Sequence, residues 1–308
     1  MWLALGGSGA SGMLVALQSR INGGLSGELG SGYVAAVVSF GSGLVILSVV
    51  LLCSPKARGG LRRLTSEIRA GRYPLWGLLG GACGAFFVLS QGLVAGILGV
   101  ALFTVGVVAG QVLGGLAMDR IGLGPGGRID PTAARLAGTA LVIVAVIASV
   151  ISDLGHGSQV WLVALPLIAG LGMSWQSAVN GLVRSAAQSA IAATFVNFAV
   201  GTAVLLVAAL VSIGIAGAPT RWPSEPWLYI GGACGVVFIA LNTVLVRIAG
   251  VLLLSMSGVA GQLVASVALE LGLPLGAGVN AGLLIAVALA LVAVVVAALP
   301  AKRRADAT

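Results

Sequence analysis

The chain has 308 residues, 59% hydrophobic and only 8% charged, with a mean hydropathy of +1.13 and a formal net charge of +8. A water-facing surface carries far more charge than this, so the composition excludes a soluble globular protein and indicates a polytopic, all-α membrane protein, counted in spans of roughly 20 apolar residues. The basic residues lie in loops between apolar stretches, which argues against a nucleic-acid partner, and three cysteines without CxxC spacing beside a single histidine exclude a disulfide framework and a metal site.

The hydropathy pattern predicts ten helical spans, at residues 2–22, 33–52, 73–96, 99–118, 133–151, 161–184, 190–214, 227–247, 251–271 and 277–300. The start of the chain lacks a basic n-region, so no cleavable signal peptide is expected. The first span carries Ser8, Ser11, Gln18 and Asn22 at spacings that form one stripe on one helix face, with Val15 between them. After the second span comes the longest loop, which is basic. Its Leu61, Leu64 and Ile68 recur at helical spacing among Arg62, Arg63 and Arg69, predicting a short amphipathic helix that lies on anionic lipid. The third and fourth spans run together through 43 uncharged residues from Trp76 to Met118, with a turn expected near Gly96–Gly99. The fourth carries Gln111 and ends at Asp119. The sixth carries Trp175, Gln176 and Asn180 and has Pro166 as an expected kink. Gln262 and Glu270 fall in the ninth. Trp2, Trp76, Trp161, Trp222 and Trp227 fall at predicted interfaces, as an aromatic belt does.

The chain is written twice. Gln18-Ser19-Arg20-Ile21-Asn22-Gly23 returns 158 residues on as Gln176-Ser177-Ala178-Val179-Asn180-Gly181. Gly80-Gly81-Ala82-Cys83-Gly84 returns letter for letter 151 residues on, at 231–235, and Val108-Ala109-Gly110-Gln111 returns by the same offset at 259–262. These pairs divide the chain into units 1–155 and 156–308. Each unit has five spans, an odd number, so the second must sit upside down relative to the first. Inverted repeats are the usual architecture of alternating-access transporters. Cys83 and Cys234 read as small residues of glycine-rich packing faces, together with Gly77xxxGly81, Gly80xxxGly84, Gly92xxxGly96 and Gly231xxxGly235.

Charge supports the span count. With the N-terminus inside, 14 basic residues fall in cytoplasmic segments and only Arg20 and Arg221 outside, placing both termini in the cytoplasm. Arginine outnumbers lysine 14 to 2 in an Ala/Gly/Val-rich chain, an association with GC-rich bacterial genomes. The expected location is the bacterial cytoplasmic (inner) membrane.

Polar side chains in a span must face protein or a water-filled cavity, because lipid satisfies no amide. The Gln18–Asn22 and Gln176–Asn180 stripes therefore either line a substrate groove between the units or join helices. Gln111 with Gln262, and Gln91 with Asn242, form two further symmetric amide pairs. Amides both donate and accept, which suits a neutral polar or zwitterionic solute. Asn197 stands where the first unit has Ser39, so the two sides of such a site are unequal. Asp119 and Glu270 are the one symmetry-related pair of carboxylates. Each lies eight residues beyond its glutamine, about 12 Å along a helix. They are gating or proton-coupling candidates, or simply solvated span ends. Enzyme chemistry is not expected: HExxH and GxSxG are absent, and His156 lies beside Asp153 in a short outer loop.

A first span ending in QxxxN-G, a second with Ser39-Phe40 or Asn197-Phe198, and a fourth ending in Asp119-Arg120-Ile121-Gly122 together resemble the YdcZ-like family of the drug/metabolite transporter (DMT) superfamily. The resemblance covers essentially the whole chain as two fused five-helix units, where many relatives are single units that pair. It implies a ten-helix inverted-repeat fold of the DMT/EamA-like kind and export of a small solute. The second copy departs from the acid motif, with Glu270-Leu271-Gly272 lacking the arginine. The reading is a secondary transporter of a small polar metabolite or drug-like solute, without cofactor or metal, in a lipid bilayer, with a homodimer left open. Gln18, Asn22, Gln111, Trp175, Gln176, Asn180 and Gln262 are the expected lining of its site. The alternative of another class is a non-transporting membrane scaffold or partner subunit.

Overall fold

The computed structural model describes residues 2–123, 127–128, 130, 132–154, 160–249, 251–275, 279 and 281–298. Among these residues eleven α-helices form: α1 (Trp2–Leu29), α2 (Gly32–Cys53), α3 (Pro55–Arg69), α4 (Gly80–Leu98), α5 (Val100–Ile121), α6 (Ala133–Leu154), α7 (Ala164–Ala187), α8 (Ala190–Ala216), α9 (Gly231–Ala249), α10 (Val251–Gly272) and α11 (Ala281–Ala298). Among the described residues there is no strand, as expected where the solvent leaves backbone amides no partner but their own helix. Five segments among the described residues are both long and apolar enough to cross a membrane: Gly32–Cys53, Leu75–Leu98, Val100–Ile121, Trp161–Ala187 and Ala190–Ala216. Helices α1, α6, α9, α10 and α11 have 18 to 28 residues, about 27 Å or more at ~1.5 Å per residue.

The turns follow from local chemistry. Gly30 takes φ +65° and Ser31 caps α2 by accepting the Val34 amide; 158 residues on, Gln188 takes φ +50° and Ser189 caps α8 at Ala192. A single residue, Gly99 at φ +77°, joins α4 to α5, which realises the expected turn there. Pro166 does not kink a helix interior. It occupies the first turn of α7, where its missing N–H belongs to no helical bond.

Packing maps onto itself when the halves are exchanged. Helix α1 lies on α10 as α7 lies on α5, α1 on α9 as α7 on α4, and α2 on α9 as α8 on α4. Helices α2 and α8, equivalent by sequence, pack on each other, and so do α6 and α11. Of those five segments, the ones holding α4 and α5 are the most enclosed. Outward faces of α2 and α8 expose Val45, Val49, Leu52, Val207, Leu210 and Ile215, a belt suited to lipid and not to water. Trp76, Trp161, Trp222 and Trp227 are exposed at helix ends or in loops. Trp2 as a side chain, His156, Gly250, the side chains of Asn242 and Arg247, and the tail bearing Lys302, Arg303 and Arg304 lie outside the described residues.

The basic loop does form an amphipathic helix, capped by Ser54 with Pro55 in its first turn. Its apolar face turns to protein and not to lipid. Leu64, 1% exposed, packs with Leu61 and Ile68 against Val183, Ala187, Ala192 and Ala193 at the ends of α7 and α8. Arg63 bonds the Gln188 side chain, and a Cβ on Gly60 would overlap Ser189. The expectation of a lipid-facing apolar stripe is thus corrected: α7 and α8 offer it a matching surface within the fold, while Lys56, Arg58, Arg62 and Arg69 remain exposed. Beyond α3, Arg72 grips Glu67 through both guanidinium arms (2.8 and 2.6 Å), a charge-assisted bond that holds the Glu67 carboxyl below its usual range. Leu64→Asp is expected to release α3. Trypsin should then cut at its basic residues at least about tenfold faster, since a docking loss of ~2 kcal/mol raises the open population by more than that. Unchanged digestion would mean that α3 is not held by this face.

Candidate functional site

The repeated motifs turn out to be each other's partners across the molecule. On α1, Gln18 lies over Gly235 and Asn22 over Gly231, so α1 and α9 run antiparallel. On α7, Gln176 lies over Gly84 and Asn180 over Gly80, with the same sense against α4. A side chain at any of these four glycines would occupy the space of the amide. The remaining glycine of each motif brings backbones together. A Cβ on Gly81 would overlap the Asn197 carbonyl on α8, and one on Gly232 the Ser39 carbonyl on α2. Lipid provides no hydrophobic drive for helices to associate, so close backbone approach and interhelical amide bonds supply the cohesion.

The two ends differ in how their amides are satisfied. Near α7, Gln176 donates to Asn197 Oδ1 (3.2 Å) and Asn197 donates to Asn180 Oδ1 (3.1 Å), a continuous relay. Near α1, Asn22 donates instead to Gln91 Oε1 (2.7 Å), whose own amide donates to Ser19 Oγ (2.8 Å). The shorter Ser39 does not bridge: Ser39 Oγ and Asn22 Oδ1 are both buried without a hydrogen-bond partner among the described residues. An unmade buried hydrogen bond costs about 1–3 kcal/mol, which the Asn22–Gln91–Ser19 bonds offset at this end.

Between the ends, where the halves meet, Phe40 and Phe198 stack with centroids 4.8 Å apart and planes inclined by 30°. They flank a cavity of about 40 Å³ that Gln18, Gln176, Asn197 and Met173 also line. That volume suits about one water molecule and not a solute. Of the residues expected to line a site, Gln18 and Gln176 reach this cavity, and Asn22 and Asn180 sit one turn beyond on the same faces. Gln111 donates to Met173 Sδ (3.4 Å), next to the cavity, while its backbone carbonyl accepts from Ser174. Gln262, 3% exposed, is packed beside Gly12 of α1, and its Nε2 has no partner among the described residues. Trp175 is half-buried and lines neither this cavity nor the larger one described below. The phenylalanines were legible only as a paired motif; their stacking across the halves had no signal in either copy alone.

The carboxylates are placed differently from one another. Glu270 is 2% exposed and so is no solvated span end. Its Oε2 accepts the Val100 amide at 2.6 Å, capping the first turn of α5 from α10, and it faces Gly99. Arg20 lies within electrostatic reach, with its Nε donating to the Leu273 carbonyl at 2.7 Å and its guanidinium over Trp227 at 5.7 Å. Asp119 is half-buried in the last turn of α5, which Gly122 closes at φ +71°. Among the described residues no cluster of His, Cys, Asp or Glu forms a metal site.

Among the described residues, a helical bundle with apolar helices of spanning length, an outward apolar belt and a buried polar centre has the character of an integral membrane protein. A family model described as "Putative inner membrane exporter, YdcZ" matches residues 3–148 and again 161–299. The chain belongs to this DMT family, with two family units fused in one polypeptide. A solved structure named only as "Crystal structure of protein" has the same fold, with a TM-score of 0.57 at 19% identity, over 98% of this chain and 97% of that one. Among curated proteins none matches.

Proposed function

We propose that the protein is a secondary transporter that exports a small polar metabolite or drug-like solute by alternating access. Its units, 1–155 and 156–308, are read as inverted five-helix repeats, giving ten spans with both termini in the cytoplasm. Helix directions support the inversion. Ser19 and Asn22 meet Gln91 while Gly23 meets Ala95, so α1 and α4 run parallel; α4 and α7 run antiparallel; hence α1 opposes its own counterpart α7. The positive-inside bias then puts Asn22, Gly231 and Glu270 toward the outer face and Asn180, Gly80 and α3 toward the cytoplasm.

The observation that carries the reading is the small cavity where the halves meet, a mainly apolar wall interrupted by Gln18, Gln176 and Asn197, with one QxxxN–GGxxG pair toward each face. Substrate entry requires the halves to part at one end while the other stays locked, which is the logic of rocking repeats. Gln18, Asn22, Gln176 and Asn180 would read the solute's polar groups as the cavity widens, with Gln111 and Gln262 behind them and Trp175 entering the wall once α7 tilts. Glu270 serves as the outer latch, tying α10 of one half to the α4–α5 turn of the other, and Asp119 is the corresponding candidate at the opposite end.

Thermal stability against a panel of amino acids, amines, nucleosides, sugars and cationic drugs tests the reading. A ligand at 100 times its Kd stabilises by about 2.7 kcal/mol, a readily visible shift in Tm. The shift is expected to vanish in Asn22→Ala and Asn180→Ala, with substrate flux in proteoliposomes lost in parallel. Destabilised variants with no ligand response and no flux in the wild type would favour a membrane scaffold or partner subunit instead.

A further inference from the structure

The larger cavity, about 410 Å³, lies at the Arg20 end of α1, beyond the amide lock, and is half open. Its size is that of small-molecule sites, some ten times the central one. Gly23, Gly24 and Gly27 on α1 and Gly96 at the end of α4 leave the space clear of side chains. Apart from its own helix backbone and chain neighbours, no described atom lies within 4 Å of where a Gly27 Cβ would stand.

The charged groups of this bowl are Arg20, Glu28 and Glu225, with Trp227 as its aromatic wall. Arg20 is fixed, not free to sweep: Nε is held by the Leu273 carbonyl and the plane rests over Trp227, leaving its terminal NH₂ groups as donors. Glu28 and Glu225 form no salt bridge with any described residue. Two carboxylates and one guanidinium line the concave space, a net charge of −1, and Glu270 lies behind the guanidinium within electrostatic reach. Their complement is a solute with two ammonium groups and one carboxylate.

We propose that this bowl is a binding site for dibasic amino acids, with the two ammonium groups taken by Glu28 and Glu225 and the carboxylate by Arg20. Trp227 lines the apolar stem of such a solute while Arg20 covers its face. Resting on the exporter reading, the bowl is the last station on the outward path, adjoining the Glu270 latch through Gly96 and Arg20. It selects amino cations before their release.

The test is calorimetric titration of the full-length protein in lipid nanodiscs at low salt, with lysine, cadaverine, norleucine and glutamate as probes. Lysine is expected to bind saturably and to weaken as salt rises. Cadaverine lacks only the carboxylate and norleucine only the side-chain ammonium, so each should bind about tenfold or more weakly, and glutamate not at all. Glu28→Gln with Glu225→Gln should cost lysine at least about tenfold in affinity. Both residues are exposed, so the fold is spared. Gly27→Leu keeps every charge and fills the bowl, and should abolish binding sterically. Lysine binding that equals norleucine binding, or that survives both variants, overturns the proposal, as does no binding by the wild type. Flux in proteoliposomes separates the two readings. Vestibular lysine binding without flux of any solute would overturn the transporter while leaving the bowl intact; flux of another solute without lysine binding would do the reverse.

Discussion

Gly170→Val and Gly110→Val are each expected to leave no folded, monodisperse protein. At the α5–α7 crossing a Cβ on Gly170 would overlap the Val107 carbonyl oxygen, and one on Gly110 the Leu167 carbonyl oxygen. The obstruction is backbone on both sides, so no side-chain rotamer relieves it and the helices must separate along their length. Overpacking a relaxed core costs ~1–3 kcal/mol, and a clash with rigid helix backbone costs about 3 kcal/mol or more. Helices that separate also forfeit the close contact on which cohesion in lipid depends. Gly115→Ala on the same helix α5 meets nothing within 4 Å and should be silent. Size-exclusion profiles and Tm of the three variants side by side decide it. Gly170→Val with a wild-type melt would mean that this crossing is not made in the membrane.

Glu270→Leu should be the most damaging single change at the outer end. The carboxylate that caps the Val100 amide at 2.6 Å would be gone, leaving that buried donor unmade and Arg20 without its nearby anion. Orphaning a buried donor costs about 1–3 kcal/mol, and breaking a buried charge interaction brings the total toward ~3–5 kcal/mol. Glu270→Gln retains an acceptor of the same shape and should lose only about 1 kcal/mol, the difference between a charge-assisted and a neutral bond. Under the latch reading, Glu270→Gln also loosens the outer end selectively. Cysteine labelling at Gly96→Cys should then rise, while labelling at the cytoplasmic end stays constant. Equal melts for the two variants would show that shape, not charge, holds the junction.

Much of this architecture was readable from the chain, and the physical reasons are specific. Membrane residence follows from charge content alone, because no arrangement of 8% charged residues covers a protein in water. The turn at Gly99 was readable because only a residue tolerating positive φ closes so tight a junction. Duplication was readable because Gln, Asn and Cys are rare enough here that their recurrence at constant offset carries information. Amphipathicity of α3 was equally plain, but periodicity reports only that a helix has an apolar side. Whether Leu64 meets lipid or Val183 depends on where α7 and α8 end, some 120 residues away along the chain. Pro166 was misread for a related reason: a proline is a kink or a start according to which residue begins the helix.

By itself, then, the sequence determined a duplicated, all-helical membrane protein with amides and acids at matching positions in each copy. Repeat alignment establishes which residues are equivalent, and it is blind to which residues touch. Only the tertiary structure decided that Gln18 and Asn22 seat on Gly235 and Gly231, and Gln176 and Asn180 on Gly84 and Gly80, so that each half completes the other. It also decided that Asn197 bridges two amides while Ser39 bridges none, and that Glu270 is buried as a helix cap. The reason is reach. Helix periodicity and loop charge act over one or two turns, whereas these contacts join different helices, between residues 17 to 217 positions apart, and their partners are chosen by the packing of glycine faces in three dimensions.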